Sequence, residues 1–215
     1  MPRVALLLLA LSCSTVALAQ TASYENRADA LKGLAATDAT QRAGAVIWLA
    51  TYGTPADDEA LRRRLFDENP IVRGVAEQGL WRLWSRSGDK AIDELMAKGA
   101  EETQAKLFKE AVATYSEVIR RKPAFAEGWN KRATALFLAG DYKKSLADCD
   151  QVMKRNRYHF GALSGYGQIY FHLQQYDKAI EYWKRALEVN PNMAGVENNI
   201  EFTEKLLEER RKHSA

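Results

Sequence analysis

From Glu25 onward the apolar residues fall three and four apart, the spacing of helices that bury one face. Ala28, Leu31 and Leu34–Ala35 make the first such run, after a short polar lead at 20–24. Ala45, Ile47–Trp48, Leu49 and Tyr52 make the second, closed by Gly53. The stretch Thr54-Pro55-Ala56-Asp57-Asp58-Glu59 predicts a helix start: Thr54 caps, Pro55 fits the first turn, and three acids sit at the positive end of the dipole. That helix ends near Arg62–Arg64, and Asn69-Pro70 opens the next, with Val72, Ala76, Leu80 and Leu83 facing inward. At the far end Met193, Val196, Ile200 and Leu207 share one face, opposite a charged run at 204–212.

Between these ends one pattern occurs three times at a step of 34 residues, over 92–125, 126–159 and 160–193. The third copy carries Leu163, Gly167, Tyr170, Tyr176, Ala179, Trp183, Ala186 and Pro191. The second carries Trp129, Ala133, Leu136, Tyr142, Ser145, Cys149 and Val152, with Arg157 where the proline should stand. The first carries Leu95, Gly99, Phe108, Ala111, Tyr115, Val118 and Pro123, with Glu102 in place of an aromatic residue. This alternation of small, aromatic and proline positions at this period resembles the tetratricopeptide repeat. The resemblance implies units of two antiparallel helices. Small residues let the backbones approach, aromatics fill the gaps to the next helix, and proline ends each unit. The turn inside each unit falls at Gly140-Asp141 and at Gln174-Gln175.

A second, shorter period precedes this array. Residues 36–53 align with 67–84 at a step of 31, placing Arg42 on Arg73, Ala45 on Ala76 and Leu49 on Leu80. This resembles a HEAT-like repeat, in which the matching arginine pairs with acidic groups of a neighbouring repeat. The two periods together predict an all-α fold, an α-solenoid wound as a right-handed superhelix. HEAT-like pairs over 20–91 lead into three tetratricopeptide units and a capping helix over 194–215, in one continuous stack.

The N-terminus reads differently. Arg3, an apolar run from Val4 to Leu11 and Ala17-Leu18-Ala19 before Gln20 form a secretory signal peptide over residues 1–19, cleaved after Ala19. The run is too short to span a membrane, which takes roughly 20 apolar residues. Cleavage leaves one cysteine, Cys149, so packing rather than a disulfide holds the domain. Cys13 opens an alternative: acylation there would make the protein a lipid-anchored outer-membrane assembly component. With 31 Lys and Arg against 28 Asp and Glu, the net charge is +3. That balance argues against a nucleic-acid partner.

No H-E-x-x-H, paired cysteines, G-x-S-x-G or phosphate-binding loop occurs, and the histidines outside the signal peptide, His159, His172 and His213, are far apart. No catalytic residue, metal site or cofactor is assigned, and an enzyme without a recognisable motif is the distant alternative. The tetratricopeptide resemblance instead implies binding on the concave face, where the first helix of each unit points. In the second unit those positions are Glu127, Asn130, Lys131, Thr134, Phe137 and Leu138; in the third they are Gly161, Ser164, Gly165, Gln168, Phe171 and His172. The small residues among them leave room for an extended or helical peptide. The expectation is a non-catalytic scaffold or assembly factor of the bacterial envelope, periplasmic, with a protein or peptide partner.

Overall fold

The computed structural model describes residues 24–214. The signal peptide, its cleavage after Ala19 and Cys13 lie outside the described residues. Among those residues the chain is all helical: α1 (Arg27–Gly33), α2 (Ala39–Tyr52), α3 (Asp58–Arg63) flanked by short 3-10 turns, and α4 (Pro70–Ser85). Then follow α5 (Lys90–Gln104), α6 (Phe108–Arg121), α7 (Ala126–Leu138), α8 (Tyr142–Arg155), α9 (Phe160–His172), α10 (Tyr176–Val189) and α11 (Ala194–Ser214). Thus α5/α6, α7/α8 and α9/α10 are the helix pairs of the 34-residue array, and α11 packs Val196 and Ile200 against Ala179 and Trp183 of α10.

The turn inside each pair needs one left-handed residue, and it falls at Lys106 (φ 61°), Gly140 (φ 81°) and Gln174 (φ 59°), one per 34-residue step. The small residues have a partner that the pattern alone does not name. A methyl group on Gly99 would lie 2.6 Å from the Tyr115 ring, and one on Gly167 2.3 Å from Trp183. The small position of a first helix is therefore paired with the aromatic residue of the second helix in its own unit. In the middle unit the same pair is Ala133 and Cys149, and Ser145 Oγ bonds to the Ala133 carbonyl at 2.7 Å. The weakest first helix, α5, forms despite Glu102, with Gly99 and Ile92 buried.

The 31-residue period appears as a repeated hydrogen-bond pattern. Arg42 Nη1 donates to the Ala36 and Thr37 carbonyls, and Arg73 Nη1 donates to the Asp67 and Glu68 carbonyls, the same pair one step later. Arg42 also meets the acids of the next repeat, binding both Asp67 oxygens at 2.9 and 2.8 Å. Both side chains of that pair are buried. Thr54 caps the turn that leads into α3, as expected, in a capping box with Asp57. Asp57 accepts from the Thr54 backbone N–H at 2.7 Å and is itself buried under Arg27, which ties α1 to the α3 region.

These N-terminal helices do not extend the array at its end, as the sequence suggests. They lie along its side, on the two turns that join successive units and on the turn into α11. Going along α4, Arg73 donates to Asn192 Oδ1 at 2.8 Å, Trp81 meets His159, Phe160 and Gly161, and Trp84 stacks on His159 at 4.6 Å between ring centres. Past its end, Lys122 Nζ donates to the Ser87 carbonyl. Phe160 is fully buried in one core with Leu80, Leu83 and the N-terminal helices, and Val189 and Met193 pack on the same core. The seam is therefore an apolar core and not a polar linker.

Candidate functional site

A cavity of about 290 Å³ opens between α7 and α9, with α8 as its floor. Asn130, Thr134, Phe137 and Leu138 line it from α7, and Ser164 and Gln168 from α9, together with Gly161 and Gly165. Eight of the concave positions expected from the sequence thus face one space. Its floor is made of residues that the pattern assigns to the core: Ala133, Ser145 and Cys149, with Ala162 and Ile169 on the α9 side. The cause lies in the packing pairs above. Cys149 occupies the position that Tyr115 and Trp183 hold in the flanking units, and the missing ring leaves the space open. The signal was present in the sequence as one cysteine in an aromatic column.

The cavity walls are mainly apolar with a few polar groups at defined places, the composition of binding pockets generally. The Cys149 thiol is a wall, not a nucleophile: burial pushes its pKa up to about 12, helped by the nearby Asp148 and Asp150 carboxylates. Among the described residues no group of His, Cys, Asp and Glu is arranged to hold a metal ion, and no helix is long and apolar enough to cross a membrane.

Four of the expected positions are placed differently. Glu127 does not face the groove. It is 1 % exposed, accepts from Asn130 Nδ2 at 3.1 Å, and lies 3.0 Å from His159 Nε2. His159 Nδ1 accepts the Ala162 backbone N–H, so the ring proton sits on Nε2 and is donated to Glu127. Burial alone would raise the Glu127 carboxyl; the bond from His159 and the nearby Lys131 charge overcome this and hold it below the usual glutamate range. Lys131 leans on Glu127 at 3.4 Å. His172 is exposed beside the groove, 5.1 Å from Phe137 between ring centres. Phe171 packs on Trp183, Tyr176 and Phe202 and belongs to the junction with α11. Phe202, 60 % exposed, extends this aromatic edge onto α11. Gly161 is small for a second reason: a methyl group there would lie 2.3 Å from Trp81, so the glycine admits α4 as well as widening the groove.

Helix pairs at a 34-residue step with a groove between their first helices define a helical-repeat protein. Comparison with known proteins agrees with this. The sequence model of the tetratricopeptide repeat family matches residues 162–193, so this chain carries a tetratricopeptide repeat there. A TPR repeat-containing protein of Rhizobium etli is 35% identical over 108 residues, which is 50% of this chain and 53% of that protein. Hsp70-Hsp90 organizing protein 1 of Glycine max is 28% identical over 103 residues, 48% of this chain and 18% of that protein. The chain therefore spans about half the length of the rhizobial relative and less than a fifth of the soybean one. Among solved structures, the first TPR of Spaghetti (RPAP3) bound to the HSP90 peptide SRMEEVD matches with a TM-score of 0.52 and 25% identity, over 54% of this chain and 92% of that one. The Sgt2 TPR domain from Aspergillus fumigatus shares the fold, with a TM-score of 0.55 over 59% of this chain and 85% of that one.

Proposed function

We propose that this protein is a non-catalytic scaffold or assembly factor of the bacterial cell envelope, which captures a peptide segment of a partner protein in the groove between α7 and α9. The observation that carries this reading is the cavity left where Cys149 and Ala133 replace an aromatic–glycine pair. A scaffold unit built only for packing would close that space as its neighbours do. The structurally similar first TPR of Spaghetti (RPAP3) is bound to a peptide, which supports a peptide as the ligand class. The envelope location rests on the signal peptide at 1–19, which predicts export and a mature chain beginning at Gln20.

The test follows from the packing. The double substitution Cys149→Tyr with Ala133→Gly gives the middle unit the pair found in the first unit and fills the groove from below. The partner recovered with the wild-type protein from envelope extract is purified and its affinity for both proteins measured. The double variant should keep its helical content and lose at least about tenfold in affinity, roughly 1.4 kcal/mol or more. Phe137→Ala should weaken binding in the same direction. Equal affinity for the wild type and the filled variant would exclude this groove as the binding site.

A further inference from the structure

A second cavity, of about 400 Å³, lies in the seam where the N-terminal helices meet the array, and it shares no residue with the groove. Leu83, Trp84, Phe125 and Ala126 give it an apolar floor. Four arginines line it: Arg62, Arg86, Arg155 and Arg157, against one carboxylate, Asp58. Asp58 is already engaged by Arg62 Nε at 2.6 Å and by Trp84 Nε1 at 2.6 Å. Among the described residues no carboxylate pairs with Arg86, Arg155 or Arg157. Arg86 holds the Thr51 and Gly53 carbonyls, and Arg155 holds that of Pro123. These two are anchored by the fold with their charge uncompensated. Arg157 lies with its guanidinium 4.7 Å from the Tyr158 ring centre, and Arg62 lies 3.7 Å from the same ring. The first turn of α7 begins at the cavity wall, at Phe125 and Ala126, without a side-chain cap.

Arg157 is also the residue that breaks the repeat pattern, standing where the other two units have Pro123 and Pro191. The turn itself does not need it. Asn156 Oδ1 accepts the Tyr158 N–H at 3.0 Å, as Asn190 Oδ1 accepts the Asn192 N–H at 3.1 Å in the proline-containing turn. A charge that the turn does not require is thus placed at the mouth of an apolar cavity already lined by uncompensated guanidiniums.

We propose that the seam cavity binds an acidic peptide segment. Its carboxylates pair with Arg157, Arg86 and Arg155, and a neighbouring apolar side chain rests on Leu83, Trp84 and Phe125. Charge complementarity selects the acidic ligand, and the apolar floor selects a peptide over an inorganic anion, which would leave that floor unused. The bound segment would touch both the N-terminal helices and the array, so binding favours their docked arrangement.

The test uses the full mature chain and a fluorescein-labelled, amidated peptide of alternating Glu and Leu, with its Gln/Leu counterpart and inorganic phosphate as controls. The acidic peptide should bind with an affinity that falls as salt rises, and should shift the indole N–H resonance of Trp84. Arg157→Glu removes no hydrogen bond or ion pair of the fold, so it should leave helical content unchanged while weakening this binding by about tenfold or more. Phe137→Ala in the groove should leave it unchanged, which separates this site from the groove. The proposal is overturned if Arg157→Glu binds as the wild type does, if the Gln/Leu peptide binds as tightly, or if the acidic peptide does not bind at millimolar concentration. It is equally overturned if phosphate displaces the peptide at equal concentration, because the apolar floor would then contribute nothing.

Discussion

Cys149 and Arg42 show how much a single residue decides here. Cys149 reads from sequence as a small core residue, and it is one; its further consequence, the space beside it, depends on what stands opposite. Arg42 reads as a structural arginine. Its pair with Asp67 is buried on both sides, so the energetics differ from those of an exposed pair, worth about 0–1 kcal/mol. Arg42→Ala removes the two bonds that buried Asp67 receives from it and leaves Arg64 at 3.2 Å as its remaining ion pair, so it should cost up to roughly 3 kcal/mol, read as a drop in the urea midpoint. A midpoint within error of the wild type would show the pair to be dispensable.

The same pair fixes the response to acid. Burial would raise the Asp67 carboxyl, but the bonds from Arg42 and the Asn69 backbone hold it below the ordinary aspartate range; Asp57, under Arg27, behaves alike. A carboxyl with a depressed folded pKa contributes stability that is complete above its unfolded value, near 4, and is lost as pH falls through the folded value. Thermal stability should therefore fall below about pH 4, and Asp67→Asn, less stable at neutral pH, should lose less on acidification. An unchanged acid slope in Asp67→Asn would assign the acid lability elsewhere.

At the scale of helices, α4 does the joining. Its outward residues Trp81 and Trp84 enclose His159 and Phe160, and His159 in turn holds the buried Glu127 at the start of α7. The polar pair and the tryptophans thus couple the seam to the helix that lines the groove. Phe160→Ala removes a fully buried ring at the centre of this arrangement and should cost about 3–5 kcal/mol. Because the ring lies in one core with the N-terminal helices, unfolding should remain a single transition followed equally by Trp fluorescence and by helical signal. Two separated transitions in the wild type would mean that the segments fold as independent units.

For the whole molecule, export remains the claim carried by sequence alone. Mass spectrometry of protein from the envelope fraction should find Gln20 at the N-terminus; an acylated Cys13 would replace the soluble reading with the lipid-anchored one. The helices themselves were legible because each buries one face and advertises it at a spacing of three and four. The 34-residue step was legible because every unit repeats the same neighbours, down to the left-handed residue at 106, 140 and 174. Eight of the groove positions on α7 and α9 were implied by the tetratricopeptide resemblance, and the arginine of the 31-residue step by the shorter period. What the chain alone determined is thus what is local or periodic: the helices, the turns and the two repeat periods. Only the tertiary structure decided where the N-terminal helices dock, that Glu127 is buried under His159, and that the groove and the seam cavity stay open. Those outcomes depend on contacts such as Arg73 with Asn192, 119 residues apart, and no local pattern encodes which of several apolar faces will meet.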